Sequence, residues 1–348
     1  MEILESIDDK LEWINEENII YYNIFEHPEL IYGNINLASH SLNFSKLPKS
    51  LHDAIANRKG LEDMENLSHS SYGTRLRFHT YAKKIIFKVE FKQEYTYPDI
   101  HYDNSNGFDV YILNNDEYIH KTTFSCKEEN ACFAEIIELE EDDNDICIFL
   151  PNFNTINQLF IGLKKGFSMD ELPYLGHNRL PIIFSGDEYA IGKTATRSGN
   201  SYPNIVSKIL DQNIINLSYY HMNKAEEYLA TMIGKYNCEC IVLDYNGKNT
   251  DKREYEESLE NFYNTLRVFH PNKKIIILTS LLNEDEKYNE IICDFYNDKR
   301  ANDEEIRLLD KKELLRNSSI DLENLNQGND DEIMKIIARQ ICKLMRKY

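Results

Sequence analysis

The chain has 348 residues, room for one large domain or two. A hydrophobic fraction of 42% and 23 tyrosines suit a packed globular protein and exclude a disordered one. A formal charge of −20 argues against nucleic acid or an anionic membrane surface as partner, because each phosphate contact would be made against a repulsive field.

The first residues, Met1-Glu2-Ile3-Leu4-Glu5-Ser6-Ile7-Asp8-Asp9, are acidic and lack the basic start and apolar core of a signal peptide. No apolar run approaches the ~18 residues that span a bilayer. The expected location is therefore cytoplasmic. Seven cysteines, at positions 126, 132, 147, 238, 240, 293 and 342, form no paired framework, which suits a reducing compartment. Cys238 and Cys240 alternate on what reads as a strand entering the core, as small buried hydrophobes. With no CxxC and no His-rich tract, neither a metal nor a cofactor is expected.

From about 75 to 163 the apolar residues alternate or come in short β-rich runs. Ile85-Ile86-Phe87-Lys88-Val89-Glu90-Phe91, Phe108-Asp109-Val110-Tyr111-Ile112-Leu113 and Ile146-Cys147-Ile148-Phe149-Leu150 are examples. Asn, Asp and Gly clusters separate them, a pattern that predicts an antiparallel, jelly-roll-like β-sandwich. The acidic stretch 138–145 reads as a solvated hairpin tip. Segment 164–180, with Pro173 and Gly176, reads as a linker. The expected domains are 1–170 and 178–348.

Beyond the linker, apolar runs at 182–184, 214–217, 240–243, 275–279 and 306–309 alternate with helical spacing at 202–210, 224–235, 254–269, 285–298 and 330–347. That alternation predicts a parallel sheet with helices on both faces, an α/β domain. The polar tract 317–331 reads as a loop across the strand ends. Ligands of such sheets collect beyond the carboxyl ends of the strands, so loops starting near Gly186, Ser218, Tyr245 and Asn317 should share one rim. On that rim, Ile182-Ile183-Phe184-Ser185-Gly186-Asp187-Glu188-Tyr189-Ala190-Ile191-Gly192 reads as a strand entering a Gly-Asp turn. Ser201-Tyr202-Pro203 then opens a helix.

This grammar resembles the nucleophile block of the SGNH/GDSL hydrolases, in the subgroup with an N-terminal β-sandwich. Further matches run in order along the chain: Gly107-Phe108-Asp109-Val110-Tyr111, Phe149-Leu150-Pro151, Leu159-Phe160-Ile161-Gly162-Leu163, Thr196-Arg197-Ser198-Gly199-Asn200-Ser201-Tyr202-Pro203, Ile215-Asn216-Leu217-Ser218-Tyr219-Tyr220-His221, Val242-Leu243-Asp244-Tyr245 and His270-Pro271-Asn272. Several ordered matches are more specific than any one of them. The resemblance implies a flavodoxin-like three-layer domain behind the sandwich, and esterase or acyl-hydrolase chemistry.

The active positions depart from the family pattern. By the resemblance, Glu188 stands where the nucleophilic serine would be, and His221 replaces the second-block glycine of the oxyanion hole. Lys248, or Asn249 if the loop has gained a residue, stands at the oxyanion-hole asparagine. Asn324 and Gln327 stand at the family's Asp-x-x-His. Serine hydrolysis needs a hydroxyl, a base, a carboxylate to hold the base, and donors aimed at the developing oxyanion. Glu188 has no hydroxyl, Gln327 cannot shuttle a proton near neutral pH, and Asn324 cannot stabilise an imidazolium. The expectation is a degenerate homologue that keeps a cleft for a carbohydrate-like or acyl ligand, or a surface for a partner protein. The alternative is a working hydrolase or acyltransferase that pairs Glu188 with His221 as a base for water. Asp187 keeps the local potential negative, which favours a cationic or polyhydroxyl ligand. Tyr189 adjoins the turn. Tyr219, Tyr220 and His101 are candidate ligand-wall residues whose blander reading is packing. Ser185, on the strand side of the turn, is a poor replacement nucleophile.

Overall fold

The structure, a computed structural model, describes residues 18–35, 44, 46–47, 68–92, 99–115, 117–125, 132–175, 180–219, 225–247, 250–281, 285–316, 318 and 330–346. It divides into two compact units: 1–173 with Arg197–Gly199, and 174–196 with 200–348.

The first unit is antiparallel. One sheet runs β1 (Ile19–Asn23), β9 (Ile156–Lys164), β4 (Lys84–Phe91), β7 (Cys132–Glu138). The other runs β10 (Asp170–Glu171), β3 (Arg75–Thr80), β8 (Asn144–Phe149), β5 (Phe108–Asn114), β6 (Glu117–Phe124), with β2 (Ile31–Tyr32) also on β3. Period-2 alternation sends Ile85, Phe87, Val89 and Phe91 from one sheet and Leu76, Phe78, Phe108, Val110, Ile146 and Ile148 from the other into one core. Phe108 and Phe124 stack there with centroids 5.1 Å apart. Asn115, with φ 49°, takes the left-handed turn conformation that asparagine tolerates between β5 and β6.

Two expectations need correction. Segment 138–145 is no hairpin, because β7 pairs with β4 in one sheet and β8 with β3 and β5 in the other, so the connection crosses between sheets. Its residues 140–143 are exposed. Segment 164–180 is not purely a linker either. β10 pairs with β3, and the buried Arg77 donates to the carbonyls of Leu172 and Pro173.

Asp109, fully buried, accepts hydrogen bonds from Thr123 Oγ1 (2.7 Å), Tyr111 Oη (3.2 Å), Arg197 Nη1 (3.0 Å) and Gly199 N (3.0 Å), and lies 3.0 Å from His120 Nε2. A buried carboxylate is tolerated only when satisfied in this way. These contacts explain why Arg197–Gly199 counts with the first unit.

The second unit holds a five-stranded parallel sheet in the order β12 (Ile214–Asn216), β11 (Ile182–Gly186), β13 (Cys240–Asp244), β14 (Lys274–Leu278), β15 (Ile306–Leu309). This is the flavodoxin-like order. Ile182, Phe184, Cys240, Val242, Ile276 and Leu278 pack on one face against α3 (Tyr202–Leu210) and α8 (Asp330–Met345). Their alternates Ile183, Ile241, Leu243, Ile275 and Ile277 are buried on the other face, where the Tyr245 ring meets Phe262 of α5 (Lys252–Phe269) at 5.8 Å. The remaining helices are α1 (Tyr102–Asn106) in the first unit and α2 (Glu188–Ile191), α4 (Glu227–Gly234), α6 (Glu286–Arg300) and α7 (Lys311–Arg316) in the second. Cys238 is buried as expected but lies ahead of β13, not on it. The loop expected at 317–331 lies almost wholly outside the described residues. Among those described, no helix is long and apolar enough to cross a membrane.

Candidate functional site

The site is built where β11 meets β13. Gly186 pairs with Asp244, and a Cβ at 186 would sit 2.2 Å from the Asp244 carbonyl oxygen, so only glycine fits. The chain then turns, and Asp187 N donates to that same carbonyl at 3.0 Å. The Asp187 carboxyl accepts from Tyr189 N at 2.8 Å and so caps the single turn of α2. Gly192, at φ 101°, closes the turn. Glu188 is the first residue of α2; its half-buried carboxylate lies 3.9 Å from Lys193 Nζ, a loose ion pair.

Beside the turn is a buried charged knot. Asp244, at the end of β13, accepts from Lys311 Nζ at 2.6 Å on one oxygen and from Tyr202 Oη at 2.9 Å on the other. Lys311 opens α7 directly after β15, is 2% exposed, and holds its ammonium 4.7 Å from the centre of the Tyr189 ring. Burial, reinforced by the negative charges of Asp244 and Glu188, pushes the Asp187 carboxyl well above the usual carboxylate range, against the opposing pull of Lys311 and the Tyr189 N–H. Burial first and Asp244 second also push the Tyr202 phenol well up, so it stays a neutral donor. Three elements thus deliver two neighbouring carboxyl groups, Asp187 and Asp244, and one ammonium that is already committed to Asp244.

The other sequence candidates fall out unevenly. Ser185 is buried, with its hydroxyl 2.7 Å from Tyr245 Oη, and a phenol whose pKa burial has raised cannot act as its base. Tyr219 is fully buried, and its N–H donates to Gly186 O at 3.0 Å; its ring presents no face to a ligand. His101 belongs to the first unit, exposed just ahead of α1, where its carbonyl accepts from Asn104 N and Ser105 N. Tyr220, His221, Lys248, Asn249, Asn324 and Gln327 lie outside the described residues. The sequence reading missed Lys311, although a lysine directly after a parallel strand lies by construction on the ligand rim. Asp331, in the first turn of α8, was missed as well. It accepts from Thr196 N at 3.0 Å, Thr196 Oγ1 at 2.5 Å and Asn200 Nδ2 at 2.8 Å. Among the described residues no three His, Cys, Asp or Glu side chains are grouped to hold a metal ion.

Comparisons with known proteins agree with this architecture. Residues 19–169 match the GxDLY family model, described as the N-terminus of SGNH-hydrolase-type esterases, and residues 179–338 match the GDSL-like lipase/acylhydrolase family. No curated protein sequence matches significantly. Among solved structures, one described as a GDSL-like lipase from Bacteroides ovatus superposes with a TM-score of 0.78 at 19% identity, over 94% of this chain and 98% of that one. A salicylyl-acyltransferase from a tetracycline biosynthetic pathway gives 0.72 at 15% identity, over 95% and 96%. A family two carbohydrate esterase from Clostridium thermocellum gives 0.56 at 12% identity, over 78% and 90%. At these identities the superpositions speak to fold alone, while the two family models cover nearly all of residues 19–338. The chain belongs to the SGNH/GDSL hydrolase family, in the branch that carries an N-terminal β-sandwich domain.

Proposed function

We propose that this protein is a catalytically degenerate member of its family, which binds a polyhydroxyl, carbohydrate-like ligand at the strand-end rim without cleaving it. The observation that carries this reading is Glu188. It directly follows the Gly186-Asp187 turn, at the position the resemblance gives to the serine, and puts a partly exposed carboxylate there instead of a hydroxyl. A carboxylate there places negative charge where an oxyanion would have to develop, which raises the barrier to acyl transfer. The same carboxylate accepts two or more hydroxyl donors well, as a sugar requires. The raised proton affinity of Asp187 follows first from burial and then from the negative charges of Asp244 and Glu188, and the Glu188 charge itself disfavours an anionic ligand.

Purified protein is expected to show no turnover of p-nitrophenyl acetate above buffer, together with a saturable thermal shift on adding cello- or xylo-oligosaccharides. That shift should vanish in Glu188→Ala. The combined change Glu188→Ser, Asn324→Asp and Gln327→His should gain weak esterase activity on the retained scaffold. Turnover by the natural protein, lost in both Glu188→Ala and His221→Ala, would replace this reading with a working hydrolase.

A further inference from the structure

The opposite, amino-terminal edge of the parallel sheet holds a cavity of about 560 Å³, within the range of roughly 300–1,000 Å³ typical of small-molecule sites. No part of the family chemistry described above uses it. Its walls come from the starts of β13, β14 and β15, the segment after α3 and the end of α8.

Gln212 is the informative residue. It is 1% exposed and lines the cavity. Both protons of its amide are committed, Nε2 donating to Leu180 O and to Glu239 Oε2, each at 2.7 Å. Flipping the amide would set its oxygen against those two acceptors, so the hydrogen-bond network fixes the orientation. In that orientation Oε1 is buried and accepts from no donor among the described residues. A buried acceptor left this way costs desolvation free energy that a ligand donor would recover once a small shift of the side chain uncovers it. Lys274, on the same wall, gives two of its three ammonium protons to Leu344 O and Met345 O, at 2.9 Å each. One proton remains for an acceptor.

The charges here are balanced, although the chain as a whole is strongly acidic. Glu239 and Glu305 stand with Lys274 and Arg346 on one lining. A simple anion or a simple cation would meet two like charges there, whereas a molecule carrying both signs meets its complement at each end. Between them Ile209, 41% exposed, and Met345 supply apolar wall. We propose that this cavity is a binding site for a small zwitterion with an aliphatic body, of the α-amino acid class. Its ammonium would donate to Gln212 Oε1 beside the two glutamates, and its carboxylate would accept from Lys274 and Arg346.

Isothermal titration calorimetry of the full chain with L-norleucine tests the site, with pentylamine and hexanoate as probes that each lack one charge. Norleucine should give saturable heat, and each single-charge probe should bind at least about tenfold more weakly. Arg346→Ala, at an exposed position that leaves folding intact, and Glu305→Gln should each weaken norleucine by about tenfold. Absence of saturable heat at tens of millimolar overturns the proposal. So does equal binding of pentylamine or hexanoate, and so does norleucine binding that is unchanged in both variants. None of these outcomes depends on whether the opposite edge binds sugar or cleaves esters.

Discussion

The two edges of one parallel sheet treat their polar groups differently. At the carboxyl edge the named groups satisfy each other: both oxygens of Asp244 are engaged by Lys311 and Tyr202, Ser185 pairs with Tyr245, and Asp187 caps α2. At the amino edge, among the described residues, Gln212 keeps an acceptor with no partner and Lys274 keeps a proton to give. A shared fold thus does not decide where binding capacity lies. Charges that neutralise one another hold a structure together, while unmet donors and acceptors are what a ligand can reward.

The largest test of that contrast is Lys311→Met. It leaves Asp244 buried without its ammonium and should cost about 3–5 kcal/mol in urea unfolding, with most of the loss recovered when Asp244→Asn is added. Little loss in the single variant would mean that the carboxyl edge is not held by this pair. Gly186→Ala forces a methyl against the Asp244 carbonyl and should cost about 1–3 kcal/mol or more, read as a lowered Tm.

Asp187→Asn should have a smaller, pH-dependent effect of opposite sign. The folded carboxyl holds its proton more tightly than the unfolded one, so the native protein is fully stabilised by this group below about pH 4 and loses that contribution as pH rises through the window up to its raised folded pKa. Asparagine keeps the cap and removes the titration. The Tm of the variant should therefore overtake that of the natural protein progressively above about pH 4, and parallel Tm–pH curves would contradict the assignment. Smallest of all, Glu188→Ala should change stability by less than about 1 kcal/mol, because the Lys193 ion pair is loose and partly solvated. A larger loss would make Glu188 a structural part of the edge and weaken its role as a ligand acceptor.

Much of this was legible in the sequence, for definite reasons. Each of the five short, mainly apolar runs after 180 became a strand of the parallel sheet, and the central ones are near-continuously apolar because a strand buried on both faces needs such a stretch. The helix at 202–210 was opened by Ser201-Tyr202-Pro203, a local signal, and the structure ends it at Asp211 in the left-handed conformation. Segment 138–145 misled because local acidity reports exposure but not which sheet the flanking strands join; that depends on pairings far away in sequence. The pairing of Lys311, unlike its place after a strand, was invisible for a related reason. Its partner Asp244 is 67 residues away, and nothing near either residue announces the pair. Arg197 and Asp109, 88 residues apart, form the same kind of long-range contact.

The peptide groups around the turn carry one more consequence. Gly186 O is tied to Tyr219 N, and Asp187 N to the Asp244 carbonyl, each at 3.0 Å. The main chain at this corner is therefore a rigid mount, indifferent to which side chain residue 188 bears. A substitution at 188 thus exchanges one side chain for another without disturbing the hydrogen bonds that hold the turn.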